Sequence, residues 1–386
     1  MIRTNSKRGR AALMVAHCAG MVDLVALPVW VGALIAQYRF DARQAGLLAT
    51  LFLVGAVCAS LVLAPRFNRL NDRLVATLGF GAAALGFGIA STTADFCVLA
   101  ALHALCGVAA GSALSVTHGT IARSGHPHRL FALVGIALGV FAIAFLGATP
   151  RAVAAAGGPV LFQVFAGVMT VGALVAALAF PVADAADDVH APVKAGAPIP
   201  RVVWFGMVGI ACMGLVQSMT FSFLERVGSD RGFGLQAVTG VLIALGVVNL
   251  FPAALAALLE KRLTARTVML VGPVVQALLV VAIMNSTVFA PYAAAASVFA
   301  AVMIFSHTFA FGLLARLDRS GRAMAATPAM LMIGAAIGPV LGGTLVKAFD
   351  YGSLGAAALS IAAVAVFCFS RIPSTAAAGA QQEALA

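Results

Sequence analysis

The chain has 386 residues, 62% of them hydrophobic and 10% charged, with a mean hydropathy of +1.05. Soluble domains carry roughly 25% charged residues, so this composition excludes a water-soluble globule and specifies a membrane protein. The formal net charge of +11 does not point to nucleic acid, because the basic residues stand singly or in small clusters between apolar runs, with no basic domain or stripe.

Other chemistries are excluded by what the loops can hold. Six cysteines (Cys18, Cys58, Cys97, Cys106, Cys212 and Cys368) fall in or beside apolar runs without CxxC spacing, and read as small packed thiols. There is no GxxxxGK[ST] phosphate loop and no metal-ligand cluster, and the loops are too short for a nucleotide domain. Neither an enzyme nor an ATP-driven pump is expected, and no cofactor is implied.

A spanning helix needs about 20 mostly apolar residues. Spans are predicted near 11–36, 44–64, 74–93, 96–119, 130–150, 157–182, 202–224, 234–257, 267–286, 290–314, 325–347 and 353–371. The opening MIRTNSKRGR precedes about 25 apolar residues, longer than the ~7–15 of a secretory signal core, so the first run reads as a span. Within it GMVDLVALPVW places Asp23 with no charged residue between Arg10 and Arg39. At ~100° per residue Ala16, Ala19, Gly20, Ala26, Leu27 and Trp30 share its face, and Val22, Val25 and Val29 lie opposite. A charge at mid-membrane costs roughly 2.5–3.5 kcal/mol on insertion scales, and such a residue marks a functional site by default. Asp23 is therefore the expected proton carrier; the alternative is a structural aspartate capped by hydroxyls or a histidine.

Further along the chain, His17 lies toward the entry of span one, and His103 in span four is a candidate cavity residue. Arg151, at the far end of span five, either binds an anionic group or snorkels to the interface. His126 and His128 fall in a loop. Residues 183–201, ADAADDVHAPVKAGAPIPR, read as a linker. It separates an N-terminal six-helix bundle (1–182) from a C-terminal one (202–372), which a short tail (373–386) follows. Span seven holds Gln217, Ser218, Thr220 and Ser222, which either hydrogen-bond a substrate or tie helices together. His307 in span ten either relays protons or bonds a backbone carbonyl. Span eleven carries GAAIGPVLGG, where Gly334, Gly338, Gly342 and Gly343 permit close helix approach and Pro339 offers a bend.

Twelve spans put both termini on one side. With that side cytoplasmic, the cytoplasmic segments hold 18 lysines and arginines and the opposite segments six, which favours inward termini. The halves also repeat. IARSGHPHR at 121–129 matches LARLDRSGR at 314–322, and the same offset of 193 residues carries Arg69 onto Arg262.

Span count, orientation and parallel repeat resemble the major facilitator superfamily over essentially the whole chain. The resemblance implies an all-α membrane fold of two pseudo-symmetric six-helix bundles, with the substrate site between them near mid-bilayer. The family's loop motif, in words Gly-x-x-x-Asp-Arg-x-Gly-Arg-Arg, falls at APRFNRLNDR (64–73). Arg69 is retained, with Ala64, Asn68 and Asn71 at the first glycine, the aspartate and the second glycine. The second copy, ALLEKRLTAR (257–266), keeps Arg262 and has Lys261 at the acidic position. The resemblance also implies that spans one, four, seven and ten line the cavity, where Asp23, Trp30, His103, Gln217, Ser218, Thr220 and His307 fall. The stretch from Asp23 onward resembles the drug–proton antiporter branch, although the Gly-Pro pattern that branch carries in span five stands here in span eleven. The expectation is a monomeric, proton-coupled exporter of a small apolar or amphipathic molecule in a bacterial-type inner membrane, its partners being protons, substrate and lipid bilayer. Proton-symport uptake of a small organic anion is the alternative, and a receptor or scaffold a third.

Overall fold

A computed structural model describes residues 2–63, 70–125, 127–182, 201–260, 262–317 and 322–372, leaving aside the side chains at 127, 128, 257, 315, 316 and 322–330. Among these residues the chain is all-helical, apart from a single bridge between Arg3 and Val182. The first half comprises α1 (Lys7–Gly20), α2 (Val22–Tyr38), α3 (Ala42–Leu63), α4 (Asp72–Ala90), α5 (Phe96–Ala122), α6 (Pro127–Ala156) and α7 (Pro159–Ala179). The second comprises α8 (Arg201–Asp230), α9 (Leu235–Val248), α10 (Pro252–Leu259), α11 (Ala265–Asn285), α12 (Phe289–Leu317), α13 (Arg322–Ala348) and α14 (Gly352–Ser370). Apart from Arg201, which opens α8, the linker lies outside the described residues, as do Arg69 and the tail from 373.

Among the described residues twelve helical segments are long and apolar enough to cross a membrane. They match the predicted spans, with two differences of form. Lys7–Tyr38 is made of α1 and α2 with a break at Met21, and Leu235–Ala256 runs across the break between α9 and α10. In lipid every backbone group must be satisfied internally, which favours helices for such runs. Their starts are set by side chains: Ser6 accepts from the Gly9 N–H, Asn71 from Leu74, Asp95 from Val98 and Thr264 from Thr267. Large apolar side chains such as Leu85, Leu178 and Leu258 stay exposed, a surface suited to lipid.

Because the span number is even, α1 begins and α14 ends at the same face, here the terminal face; the other is the distal face. In the first half α5 packs on α3 and α4, α4 on α7, and α1 on α5, α6 and α7. In the second, α8 packs on α13 and α14, and α11 on α12 and α14. Among the described residues the halves meet chiefly along three seams, α2–α8, α3–α13 and α6–α9. At the loop motif, Asp72 pairs with Arg123 and accepts a 3.2 Å hydrogen bond from Thr120 Oγ1. Both partners belong to the first half, so this ion pair fastens α4 to the end of α5. Arg262 is exposed beyond α10, its N–H donating to Leu259 O at 2.9 Å.

Candidate functional site

The site is built around the break in span one. Gly20 ends α1 pressed against Leu114 of α5, where a Cβ would fall 2.7 Å from Leu114 Cδ1. Met21 caps the helix with its N–H donating back to His17 O at 3.0 Å. The chain then restarts as α2, and Asp23 stands in its first turn, where unpaired backbone N–H groups and the helix dipole favour negative charge. Asp23 is 7% exposed and its Oδ1 has no hydrogen-bond partner. Among the described residues no ion pair and no other side chain engages it; the carboxylate accepts only from the Asp23 and Leu24 backbone N–H groups of its own first turn. A discontinuous spanning helix with an unmatched carboxylate at its break is an arrangement from which transporters build ion and substrate sites. Pro28, five residues on, interrupts the α2 backbone bonding once more.

The other expected residues divide into three settings. Trp30 and His103 lie inside the first half, 1% and 0% exposed, with rings stacked 5.4 Å apart among Phe52, Phe87, Phe162 and Phe165. His103 Nδ1 bonds Leu99 O at 2.6 Å, whereas His103 Nε2 and Trp30 Nε1 have no partner. Two unmet polar groups in one aromatic box offer a donor and an acceptor to a water or to a polar group of a bound molecule. Second, Gln217 is buried and accepts from Gln276 Nε2 at 3.1 Å, and the same amide donates to Met213 O at 3.2 Å, which ties α8 to α11. Ser218 bonds Leu215 O at 3.3 Å and sits against Gly338, and Thr220 Oγ1 is buried without a partner. His307 is half-buried on α12, with Nδ1 2.9 Å from Met303 O. Third, Arg151 is exposed near the distal end of α6. Asp23 and His307, both expected in proton coupling, are not in contact.

The GAAIGPVLGG run of α13 faces two ways. Gly334, Gly338 and Gly342 abut Ala211, Ser218 and Met219 of α8 in the same half. Its other side meets α3 across the seam, where a Cβ on Gly46 would overlap the Pro339 carbonyl and a Cβ on Gly343 that of Ala42. The Val340 N–H donates to Thr50 Oγ1 at 3.1 Å, and Lys347 Nζ to Asp41 Oδ2 at 2.8 Å. Contacts thus run from mid-seam to the distal end.

Four polar residues escaped the sequence reading. His118 of α5 pairs with His17, with Nε2 3.0 Å from His17 Nδ1, and Gln276 pairs with Gln217. Both are polar interruptions of apolar runs, the signal that marked Asp23. Asp72 stood in the loop motif, unassigned to Arg123. Glu225 falls one residue beyond the predicted end of span seven, but α8 continues to Asp230.

The family model of the Major Facilitator Superfamily matches residues 12–317. The chain belongs to that superfamily. Solved transporters share its fold at low identity. A D-xylose–proton symporter aligns with TM-score 0.74 at 13% identity, covering 95% of this chain and 98% of its own. The nucleoside transporter NupG gives 0.70 at 14%, covering 95% and 99%. A bacterial homologue of the human lysosomal transporter Spinster, in its inward-facing, occupied conformation, gives 0.70 at 15%, covering 95% of each chain. No curated protein matches the sequence significantly. As a member of this superfamily the chain is a membrane transporter and not an enzyme.

Proposed function

We propose that this transporter is proton-coupled through Asp23 and exports a small apolar or amphipathic molecule by alternating access between residues 1–182 and 202–372. The observation that carries the reading is the buried Asp23 carboxylate, with Oδ1 unpartnered, at the break of span one. A carboxylate with no ion-pair partner can bind and release a proton as the cavity changes sides, whereas one locked in an ion pair cannot do so freely. Trp30 and His103 supply the aromatic lining, with two unmet polar groups, that suits an amphipathic molecule. Gln217, Thr220 and His307 are the polar contacts proposed on the opposite half. The charge asymmetry supports a cytoplasmic terminal face in a bacterial-type inner membrane, and the single-chain repeat supports a working monomer. On this orientation the sealed distal end of the α3–α13 seam is the outer gate.

Uptake by proton symport is the second reading, favoured by the likeness to a D-xylose–proton symporter. The test compares accumulation of a broad panel of drugs and metabolites in cells expressing wild type or Asp23→Asn. Lower internal levels with wild type, restored to the empty-vector level by the substitution, are expected. Higher levels abolished by the substitution would replace export with symport. Transport unchanged by Asp23→Asn would remove Asp23 from the coupling mechanism.

A further inference from the structure

Glu225 stands on α8 in the α2–α8 seam, close to the distal face. A Cβ added to Gly32 of α2 would overlap Glu225 Oε2, so the carboxyl group rests on α2 backbone that only glycine leaves bare. Its one hydrogen bond is within its own helix, from Ser229 Oγ to Oε1 at 2.6 Å. The adjacent cation is engaged elsewhere: Arg226 pairs with Asp230 at 2.6 Å, and Tyr351 also donates to Asp230. Tyr292 of α12 lies near, but its hydroxyl donates to Leu224 O at 2.7 Å. Among the described residues Glu225 is thus an acid without an ion pair, half-buried against the neighbouring half of the protein.

Resting on the transporter reading above, we propose that Glu225 is a second proton-binding site, loaded from the distal side, whose protonation holds the α2–α8 seam shut. When the distal ends of the two halves separate, Gly32 withdraws and water reaches the carboxylate, where the charged form is stable. When they close, the carboxylate takes a proton from distal water and is buried as the neutral acid, because an unpaired charge there is costly. Asp23 lies nine residues before Gly32 on the same helix, about 13 Å toward the terminal face at 1.5 Å per residue. The two acids are therefore staggered across the membrane, on opposite halves. Charged and titratable groups near Glu225 or on the elements packed against α8 are Arg226 and Asp230 on α8, Tyr292 on α12, Tyr351, and Lys347 on α13 with its partner Asp41; α2 itself contributes Asp23 and Tyr38.

The test needs no substrate. The six native cysteines are replaced, spin labels are placed at the exposed distal positions Ala155 and Val288, and the distance distribution of the full chain in nanodiscs is followed by pulsed EPR from pH 5 to 8. Wild type is expected to shift toward the longer, open population as pH rises. Glu225→Gln stays short throughout, while Asp41→Asn and Asp23→Asn keep a pH response. Glu225→Asp and Ser229→Ala, which alter the acid without removing it, move the midpoint. A wild type without pH response, or a Glu225→Gln response equal to wild type, would overturn the proposal. If Glu225→Gln fails to fold, an unchanged midpoint in both remaining variants does the same. Failure of the Asp23 transport test leaves these distances unaffected, so the two readings fall separately.

Discussion

Two of the seams between the halves, α3–α13 and α6–α9, are exchanged by the 193-residue repeat, since it carries span two onto span eight and span five onto span eleven. Their chemistry is nevertheless different. At α3–α13, backbone meets backbone: Gly46 lies on the Pro339 carbonyl, Gly343 on Ala42, and the Val340 N–H crosses to Thr50 Oγ1. At α6–α9 the nearest atoms are side-chain atoms: Gly147 faces the end of Ile243, Gly139 the end of Leu250 beyond the α9 terminus, and Gly246 faces Ile143 Cγ1 at 2.9 Å with the Ile143 backbone behind it at 3.5 Å. Backbone contact has no rotamer through which to yield, so the first seam is either engaged or parted. Side-chain contact accommodates sliding, so the second can remain in contact as the halves rock. A related fold thus carries a latch on one side and a bearing on the other.

Breaking the latch at its backbone contacts has the largest expected effect. Gly46→Ala or Gly343→Ala drives a Cβ into a carbonyl that cannot move without its helix. Overpacking of this kind costs about 1–3 kcal/mol, which is roughly a 5- to 150-fold loss of the closed distal population. The Ala155–Val288 label pair reads this as a longer distance, and transport falls with it. A closed population unchanged in both variants would show that the seam is not a latch.

Thr50→Val keeps the volume but removes the acceptor of the Val340 N–H. A loss of about 1 kcal/mol from the closed state is expected, roughly a fivefold shift in the same distance measurement. Thr50→Ser, which keeps the acceptor, should lie close to wild type.

The sequence reading located these features unevenly, for physical reasons. Spans are legible because about 20 apolar residues have few alternatives to a helix, and the predicted ends differ from the observed by a few residues. The break at Met21 was not legible: nothing in the run GMVDLVALPVW marks it, and the close approach of Leu114 that holds position 20 to glycine comes from a distant span. GAAIGPVLGG was readable as a close-approach surface from its small residues. That it serves two partners at once was not, because periodicity reveals a face and not what covers it. Asp23 stood out because no charge lies near it in sequence. Glu225, with Arg226 and Asp230 beside it, looked like an ordinary polar span end, and only the extra helical turn and Gly32 reveal its enclosure. Asp72 stands four positions beyond Asn68, where the motif has an arginine, so the pattern does not mark its pairing with Arg123.

The distal end of the latch supplies a smaller effect and a useful control. Asp41 is an exposed carboxylate: partial burial pushes its pKa up, but the Lys347 hydrogen bond, the Gln44 N–H, the Lys347 charge and the Arg43 N–H together hold it below its ordinary value. A lowered value means that the pair contributes to closure at pH above the ordinary carboxylate range near 3.9, and that its contribution disappears as pH falls through the lowered value. Between pH 5 and 8 its contribution is constant. Exposed pairs contribute about 0.2–1 kcal/mol, so Asp41→Asn should open the distal face by no more than about fivefold, with a pH response parallel to that of wild type. A flattened response would make Asp41, and not Glu225, the titrating group.

The smallest expected effect belongs to the bearing, and it decides whether the comparison holds. A Cβ at Gly147 would lie 3.3 Å from Ile243 Cδ1, the end of a side chain free to change rotamer. Gly147→Ala should therefore leave the EPR distances and transport within about twofold of wild type, and the gain in helix propensity, up to about 1 kcal/mol, should raise thermal stability slightly. Ile243→Ala in the same chain should restore any lost motion by clearing the contact. If Gly147→Ala instead disables transport as strongly as Gly46→Ala, and Ile243→Ala rescues it, the α6–α9 seam is as unyielding as its repeat-related counterpart. Both seams would then act as latches, and the halves would move by parting at each in turn.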